Sequence, residues 1–373
     1  MVLYLDNSAT TQIHPDVKEA MLPFLMEEFG NPSSKYYSAA ENAKKAVKGA
    51  RKSLASLLGC DIEEIIFTSG STESNNMIIK GVADYYFDKG NHIITTKVEH
   101  PSVIETCKYL ESKGFRVTYL EVDKHGRIDT ESLRNEITEQ TILVSIIWGN
   151  NELGSLNDIS AISSICKEKN VFLHSDATQV ISKVDINLED FPGLTFLSCS
   201  AHKFHGPKGV GATFIRKDQY GILTKLTPLL HGGGQEQEIR SGTLAVHNIV
   251  GLGKAAEIAF RDLELNIKKL KDLETYLTDL LVGKFGEQIV FNNDIEKKIP
   301  GILNVQFKGV NNEILVKNLS PIIAISTGSA CSSSKPSHVL SAIGLTLDQV
   351  RSTVRFSMSS YTNIEELDIF KNL

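Results

Sequence analysis

Short apolar segments alternate with amphipathic segments along the stretch from residue 62 to residue 203. The predicted strands are 62–67, 92–96, 115–122, 141–148, 171–174 and a final run that ends at Lys203. Helices are predicted between them, at 73–87, 101–113, 130–137 and 158–169. Repeated strand–helix units of this kind predict an α/β protein with a mainly parallel sheet covered by helices.

The pattern changes near residue 255, where charged amphipathic segments replace the regular alternation. A chain of 373 residues is long enough for two folded units. We predict a large domain over residues 16–254 and a smaller α+β domain formed by 1–15 and 255–373. The smaller domain carries the loop that contains Cys331.

Polar and ionisable residues gather where the predicted strands end. These endings are Ser69-Gly-Ser-Thr72, Glu99-His100, Asn150-Asn-Glu152, Ser175-Asp176 and Ala201-His-Lys203. Ligands of open α/β sheets bind outside the carboxyl ends of the strands. The sequence therefore predicts a binding site at this edge of the sheet.

Lys203 and Asp176 form a chemically specific pair at that edge. A lysine at the end of an apolar strand loses hydration, which lowers its pKa as a Schiff-base amine requires. An aspartate on the neighbouring strand end can hold a protonated ring nitrogen, an arrangement that suits pyridoxal 5′-phosphate. Taken singly, a solvated lysine and a helix-capping aspartate are the simpler interpretations.

Other segments add weaker indications. The hydroxyls and N–H groups at Ser71 and Thr72 can hold a phosphate at a helix N-terminus, although helix capping alone explains them too. The His100 ring can stack on a cofactor and move protons, or be purely structural. Arg351 and Arg355 are candidates for binding a substrate carboxylate.

Cys331 differs from the other four cysteines, which lie in helix- or strand-patterned segments. It lies among glycine, alanine and serines, so no apolar wall is expected around its thiol, and a chemical role is favoured. The five scattered cysteines form no CxxC pair, which argues against a disulfide framework or a metal site.

Charge and hydropathy exclude several function classes. The net charge of -6 and the pI near 6.0 argue against direct nucleic-acid binding. No apolar run has the length of a membrane span, and the first residues lack the pattern of a signal peptide. We therefore expect a cytoplasmic protein.

Together the motifs resemble those of the NifS/IscS-type cysteine desulfurases, within the class V aminotransferase family of fold type I pyridoxal-phosphate enzymes. The resemblance covers nearly the whole chain. The matching segments are 4–11, 31–34, 67–76, 99–100, 150–154, 174–179, 200–203, 206–211, 232–236, 240–243 and 329–331.

The resemblance implies a set of cofactor contacts. Lys203 would bind pyridoxal 5′-phosphate as a Schiff base and act as acid and base, Asp176 would pair with the ring nitrogen, and His100 would stack on the ring. Thr243 would reach the phosphate from the partner subunit of a homodimer. The implied cofactor-binding residues are Ser71, Thr72, His100, Asn151, Asp176, Gln179, Ser200, His202, Lys203 and Thr243.

The resemblance also implies the reaction. Asn151 and Arg355 would hold the carboxylate of L-cysteine, and Cys331 would take the sulfur as a persulfide while L-alanine is released. Lys203, Cys331 and His100 are thus the implied catalytic residues. A selenocysteine lyase, another fold type I aminotransferase and a non-catalytic sulfur-transfer scaffold remain alternatives.

The chain departs from the family pattern in three places. Gln12 and Lys35-Tyr-Tyr37 replace the usual proline and histidine, and the segment after Cys331 is about two residues shorter than in housekeeping members. The protein sulfur acceptor therefore stays open between iron–sulfur assembly and a dedicated DNA phosphorothioation or RNA thiolation pathway.

Overall fold

The computed structural model describes residues 2–328 and 336–372, which fold into alternating strands and helices. The strands are β1 (Leu3–Tyr4), β2 (Ile65–Thr68), β3 (His92–Thr96), β4 (Arg116–Leu120), β5 (Thr141–Ser145), β6 (Phe172–Asp176), β7 (Leu194–Ser200), β8 (Gly211–Ile215), β9 (Ile289–Phe291), β10 (Ile302–Phe307), β11 (Ile323–Ala324) and β12 (Thr353–Ser357). The helices are α1 (Pro15–Met26), α2 (Ser38–Leu58), α3 (Ser71–Tyr85), α4 (Pro101–Glu111), α5 (Thr130–Glu136), α6 (Ile159–Glu168), α7 (Val246–Arg261), α8 (Leu263–Phe285), α9 (Asn312–Leu319), α10 (His338–Ala342) and α11 (Leu347–Val350).

Within the described residues, seven strands form the central sheet in the order β2-β8-β7-β6-β5-β3-β4. The pairs from β7 through β6, β5 and β3 to β4 are parallel, whereas β8 runs antiparallel to both β7 and β2. The predicted α/β class with a mainly parallel sheet is therefore confirmed. One strand, β8, was not predicted; it reverses the chain immediately after the Gly-Pro-rich turn at 206–209.

The strand boundaries differ from the prediction at two places that matter for the site. Residues Ile62–Glu64 form a 3-10 turn, so β2 begins only at Ile65. The strand that was expected to end at Lys203 ends at Ser200, and Ala201–Lys203 form a 3-10 turn. Lys203 therefore lies one turn beyond the strand, where its side chain can bend towards the strand ends.

Two apolar clusters support this arrangement. In the first, α2 and α7 pack against the sheet, and Gly59 closes α2 with a left-handed φ of 63°. In the second, Leu3 and Leu5 of the N-terminal segment pack on α8 and on β10 and β12. The N-terminal strand β1 also pairs in parallel with β11, so the N-terminal segment packs against the last third of the chain.

The position of α7 bears on the predicted domain division. This helix runs from Val246 to Arg261, across residue 254, and its buried face belongs to the first apolar cluster. The boundary between residues 254 and 255 stays a prediction. None of the helices within residues 2–328 and 336–372 combines the length and apolar character needed to cross a membrane.

Candidate active site

A cavity of about 270 Å³ lies outside the carboxyl ends of β5, β6 and β7. Nine of the residues predicted for the site line it: Ser71, Thr72, His100, Asn151, Asp176, Gln179, His202, Lys203 and Arg355. Residues from at least five separate segments therefore converge on one space. Convergence of this kind distinguishes a binding site from polar turns that merely face solvent.

Lys203 is held by the N-terminal segment. Its Nζ donates to the carbonyl oxygens of Ser8 at 2.6 Å and Ala9 at 2.8 Å. The same segment is tied to the turn after β7, since the backbone N–H and the hydroxyl of Thr11 both donate to the His202 carbonyl oxygen. Residues 8–11 thus cross the strand ends and fix the direction of the lysine.

Asp176 lies at the end of β6 and is 4% exposed. Its Oδ1 accepts from the backbone N–H of Thr178 at 3.0 Å, and its Oδ2 accepts from Asn75 Nδ2 at 2.8 Å. The capping type of bond that the simpler interpretation required is therefore present. The carboxylate nevertheless lines the cavity and keeps further acceptor capacity for a donor there.

His100 is the N-cap residue of α4 and lines the same cavity. Ring Nδ1 accepts from the backbone N–H of Ser102 at 3.1 Å, which leaves the proton of the neutral ring on Nε2. Burial lowers the pKa of His100, so the ring is neutral at pH 7. A neutral, flat, half-buried ring is suited to stacking on an aromatic ligand.

Asn75 joins these two residues and was missed by the sequence analysis. Its Nδ2 donates to both Asp176 Oδ2 and Ser102 Oγ, and Ser102 Oγ is 2.8 Å from His100 Nδ1. Asn75 follows Ser71 by four residues on α3, so both lie on one face of the helix. That spacing is the sequence signal by which Asn75 could have been found.

The N-terminus of α3 lies at one side of the cavity. Gly70 precedes Ser71 with a φ of 155°, a conformation that favours glycine, and so allows the chain to turn directly from β2 into the helix. The first N–H groups of α3 and the hydroxyls of Ser71 and Thr72 face the cavity edge. These groups fit a phosphate.

His202 lies at the same edge and is neutral. Its Nδ1 is 3.1 Å from Thr10 Oγ1, and burial lowers its pKa to about 4. It can therefore donate one hydrogen bond to an anion, but it contributes no charge at pH 7.

Two further predicted cofactor ligands do not line the cavity in this chain. Ser200 is buried at the end of β7, and an added Cβ on Gly70 would lie 3.5 Å from its hydroxyl, so it supports the turn into α3. Thr243 is exposed, and the neighbouring Arg240 is paired with Glu73 at 2.7 Å. The roles of both residues stay predictions.

Arg355 closes the opposite side of the cavity and is 1% exposed. Its Nη2 lies 2.7 Å from Asp6 Oδ1, and its Nη1 donates to the Asn151 carbonyl oxygen at 2.8 Å. Arg351, the other candidate for carboxylate binding, is exposed at the end of α11 and does not line the cavity. Of the two arginines that the residue pattern offered, only Arg355, which the resemblance also favoured, lines the cavity.

Cys331 lies outside the described residues. The residues on either side of that gap meet one buried carboxylate: Ser337 Oγ donates to Glu152 Oε2 at 2.6 Å, and an added Cβ on Gly328 would lie 2.7 Å from the same oxygen. Glu152 lines the cavity, and burial raises its pKa. Gly328 and Ser337 therefore both lie beside the cavity.

The donor set can be tested for its fit to a polar aromatic ligand. Among the described residues, three buried polar atoms of the cavity-lining residues have no hydrogen-bond partner: Ser8 Oγ, Thr178 Oγ1 and Arg355 Nε. Unpaired buried polar groups are uncommon and call for a ligand or water. A carboxylate, a lysine amine, a neutral imidazole ring and a helix N-terminus around one cavity fit a flat, phosphorylated, nitrogen-containing ring.

Comparison with known proteins gives a consistent picture. The family model described as aminotransferase class-V matches residues 3–370. The chain is 42% identical over 373 residues to the cysteine desulfurase IscS of Rickettsia typhi, covering 100% of this chain and 90% of the relative.

Solved structures agree with this result. A NifS-like protein superposes with a TM-score of 0.92 at 38% identity, covering 100% of this chain and 98% of the other. A structure described as SspA in complex with cysteine gives a TM-score of 0.85 at 36% identity, with 97% and 100% covered. The likeness therefore extends over the whole chain in both sequence and structure.

Proposed function

This chain belongs to the aminotransferase class-V family and is a pyridoxal-phosphate-dependent cysteine desulfurase, and we propose how its residues divide that reaction. The substrate is L-cysteine and the products are L-alanine and enzyme-bound sulfur that passes to an acceptor. One observation carries the assignment of roles: Lys203, Asp176, His100, the start of α3 and Arg355 all line a single cavity.

The cofactor would be held from three sides. Lys203 Nζ would bind it covalently, the Asp176 carboxylate would accept from the ring nitrogen, and Ser71 and Thr72 would donate to the phosphate at the α3 N-terminus. Gln179 would face the ring hydroxyl. Ser200, His202 and, from the partner subunit of a homodimer, Thr243 would complete the phosphate site.

When bound, pyridoxal 5′-phosphate supplies an electron sink for the carbon atoms of the amino acid. The chain supplies the proton transfers around it. Lys203 Nζ would remove and return the proton at the substrate Cα, and the neutral His100 ring would stack on the cofactor and carry its proton on Nε2. Asn75 would keep Asp176 and His100 in fixed relative positions through its two hydrogen bonds.

The substrate carboxylate would bind between Arg355 and the Asn151 side chain. Arg355 is already ordered by Asp6 and by the Asn151 carbonyl oxygen, so little side-chain entropy is lost when it binds a second carboxylate. This contact would fix one end of the substrate in the cavity.

Cys331 would accept the sulfur atom of L-cysteine on its own thiol. The C–S bond of L-cysteine breaks, an S–S bond forms at Cys331 Sγ, and the two thiol hydrogens end on the alanine methyl group and on the terminal sulfur of the persulfide. The sulfur is oxidised as the carbon is reduced, so no external oxidant is required. The persulfide then passes to a protein acceptor, whose pathway is open between iron–sulfur assembly and a dedicated thiolation system.

The four other cysteines are poorly suited to this role. Cys107, Cys166 and Cys199 are buried, and burial raises the pKa of each to about 12; burial also raises the pKa of Cys60. A thiol with such a pKa provides almost no thiolate at pH 7. Free, unreactive thiols also suit the reducing cytoplasm, which we propose as the location.

An assay of the loaded enzyme on L-cysteine tests the proposal. We expect L-alanine to form without any keto acid, in equal amount to the sulfur released by a thiol reductant. An aminotransferase would need a keto acid, a selenocysteine lyase would turn over selenocysteine but leave cysteine intact, and a scaffold would turn over neither. Each of those three results would overturn the proposed reaction.

A further inference from the structure

Lys183 is a second lysine behind the site that the proposed reaction does not use. It follows β6 in a turn and is only 7% exposed. It lines a second cavity of about 230 Å³, on the other side of Lys203 from the first, together with His205 and Asp262. Among the described residues no carboxylate lies within ion-pair distance of its Nζ, so the burial of this amine is not offset by a salt bridge.

The contact that Lys183 does make leads to the site. Its Nζ lies 3.4 Å from Gln179 Oε1, and Gln179 Nε2 donates to the Ser8 carbonyl oxygen at 2.8 Å. That carbonyl oxygen also accepts from Lys203 Nζ at 2.6 Å. A chain of hydrogen bonds therefore runs from Lys183 through Gln179 and Ser8 to Lys203, and its middle members line the first cavity.

The donor and acceptor order in this series of hydrogen bonds depends on which end of the Gln179 amide faces Lys183. An amide side chain offers one acceptor end and one donor end, and turning it over exchanges them. The Lys183 amine offers N–H donors whether it is protonated or neutral, and the Ser8 carbonyl oxygen can only accept, so the favoured orientation has Oε1 towards Lys183. Nε2 is then directed towards Ser8 and the cavity.

We propose that Lys183 is a positioning residue that fixes the orientation of the Gln179 amide, so that its Nε2 donor faces the cofactor cavity. The inference rests on the proposed function, in which Gln179 faces the ring hydroxyl of the cofactor. Lys183 touches neither substrate nor cofactor and acts only through Gln179. Burial, together with the charges of Lys203 and Arg355, lowers the pKa of Lys183 to about 7, which accords with an amine held away from water.

Replacement by methionine separates this role from a structural one. Lys183→Met keeps the length and apolar stem of the side chain but removes the donor, so thermal stability should be unchanged or raised because a buried amine is lost. Cofactor affinity should fall by roughly three- to tenfold, as for one neutral hydrogen bond, with a shift of the visible band of the loaded enzyme. Lys183→Arg retains a donor, and the neighbouring cavity gives it room. It should restore both the cofactor affinity and the position of the visible band.

A double-mutant cycle with Gln179→Met makes the test specific. If Lys183 acts only through the amide, the double variant should bind the cofactor no more weakly than Gln179→Met alone. The exposed Lys124→Met is the matched control and should bind as the wild type does. Affinity is measured by titrating the apoprotein with pyridoxal 5′-phosphate, and thermal stability on the same samples.

The outcomes distinguish this inference from the proposed function. Unchanged affinity in Lys183→Met, additive losses in the double variant, or a loss of stability without rescue by arginine would each overturn the role of Lys183 while the cofactor assignment stands. A wild-type protein that develops no visible band would overturn the cofactor assignment itself, and the role of Lys183 with it.

Discussion

Replacement of Arg355 by lysine tests how the substrate is held. The guanidinium uses Nη2 for Asp6 and Nη1 for the Asn151 carbonyl oxygen, and its Nε has no partner among the described residues. Lysine keeps the charge but has a single nitrogen, which cannot hold Asp6, Asn151 and a substrate carboxylate together. Arg355→Lys should therefore lose at least one charge-assisted hydrogen bond to L-cysteine.

The expected rise in KM follows from the loss of this one hydrogen bond. A hydrogen bond to a charged group contributes about 1.5–3 kcal/mol, so KM for L-cysteine should rise roughly 10- to 150-fold. The contact is made in the ground state and the transition state alike, so kcat should change little. The visible band of the loaded enzyme should be unaltered, because Arg355 is not proposed to contact the cofactor.

The assay is steady-state alanine formation over a range of L-cysteine concentrations, with the absorbance spectrum recorded on each preparation. Arg351→Lys is the matched control, since Arg351 is exposed four residues earlier and should leave KM unchanged. A normal KM in a correctly loaded Arg355→Lys variant would refute the assignment of the carboxylate site. A raised KM in Arg351→Lys as well would point to a general disturbance.

Three other changes probe the rest of the site. Lys203→Ala should abolish the visible band of the loaded enzyme, and a yellow, active variant would show that another amine binds the cofactor. Asn75→Ala should weaken cofactor binding about tenfold or more in a titration, because the Asp176 carboxylate loses its amide donor, and unchanged binding would contradict that role. Burial raises the pKa of Glu99 from 4.5 to about 8, so the free energy of unfolding should fall by about 1.4 kcal/mol per pH unit as the pH rises between those values. The melting temperature should therefore change less between pH 5 and pH 8 for Glu99→Gln than for the wild type or for the exposed control Glu139→Gln. The same pH dependence in all three proteins would contradict a raised pKa for Glu99.

Much of the site could be predicted because its residues follow strands. The strand pattern placed Asp176 and the Lys203 segment at one sheet edge, and the small polar residues before α3 indicated an anion site. The residue pattern alone left Arg351 and Arg355 both open and only the family resemblance favoured Arg355, because burial depends on how β12 pairs with β10. It also gave no signal for Lys183, since a lysine in a polar turn is normally exposed.

Other contacts could not be predicted from the sequence because they join segments that are far apart along the chain. The carbonyl oxygens of Ser8 and Ala9 carry no side-chain pattern. Their contact with Lys203 depends on long-range pairing, such as that of β1 with β11, which holds the N-terminal segment near the strand ends. The Glu152 carboxylate meets Ser337 across 185 positions of sequence. Contacts of this kind follow from topology, which local periodicity does not determine.

The most direct test of the account is where the sulfur goes. Wild-type enzyme loaded with pyridoxal 5′-phosphate is mixed with a limiting amount of L-cysteine without reductant. The alanine formed is quantified, and the peptides of the enzyme are analysed by mass spectrometry. We predict one added sulfur atom on the peptide that contains Cys331 for each alanine formed. Cys331→Ser should keep the visible band but carry no added sulfur. Sulfur found on another cysteine, or alanine formed at the normal rate by Cys331→Ser, would contradict the account.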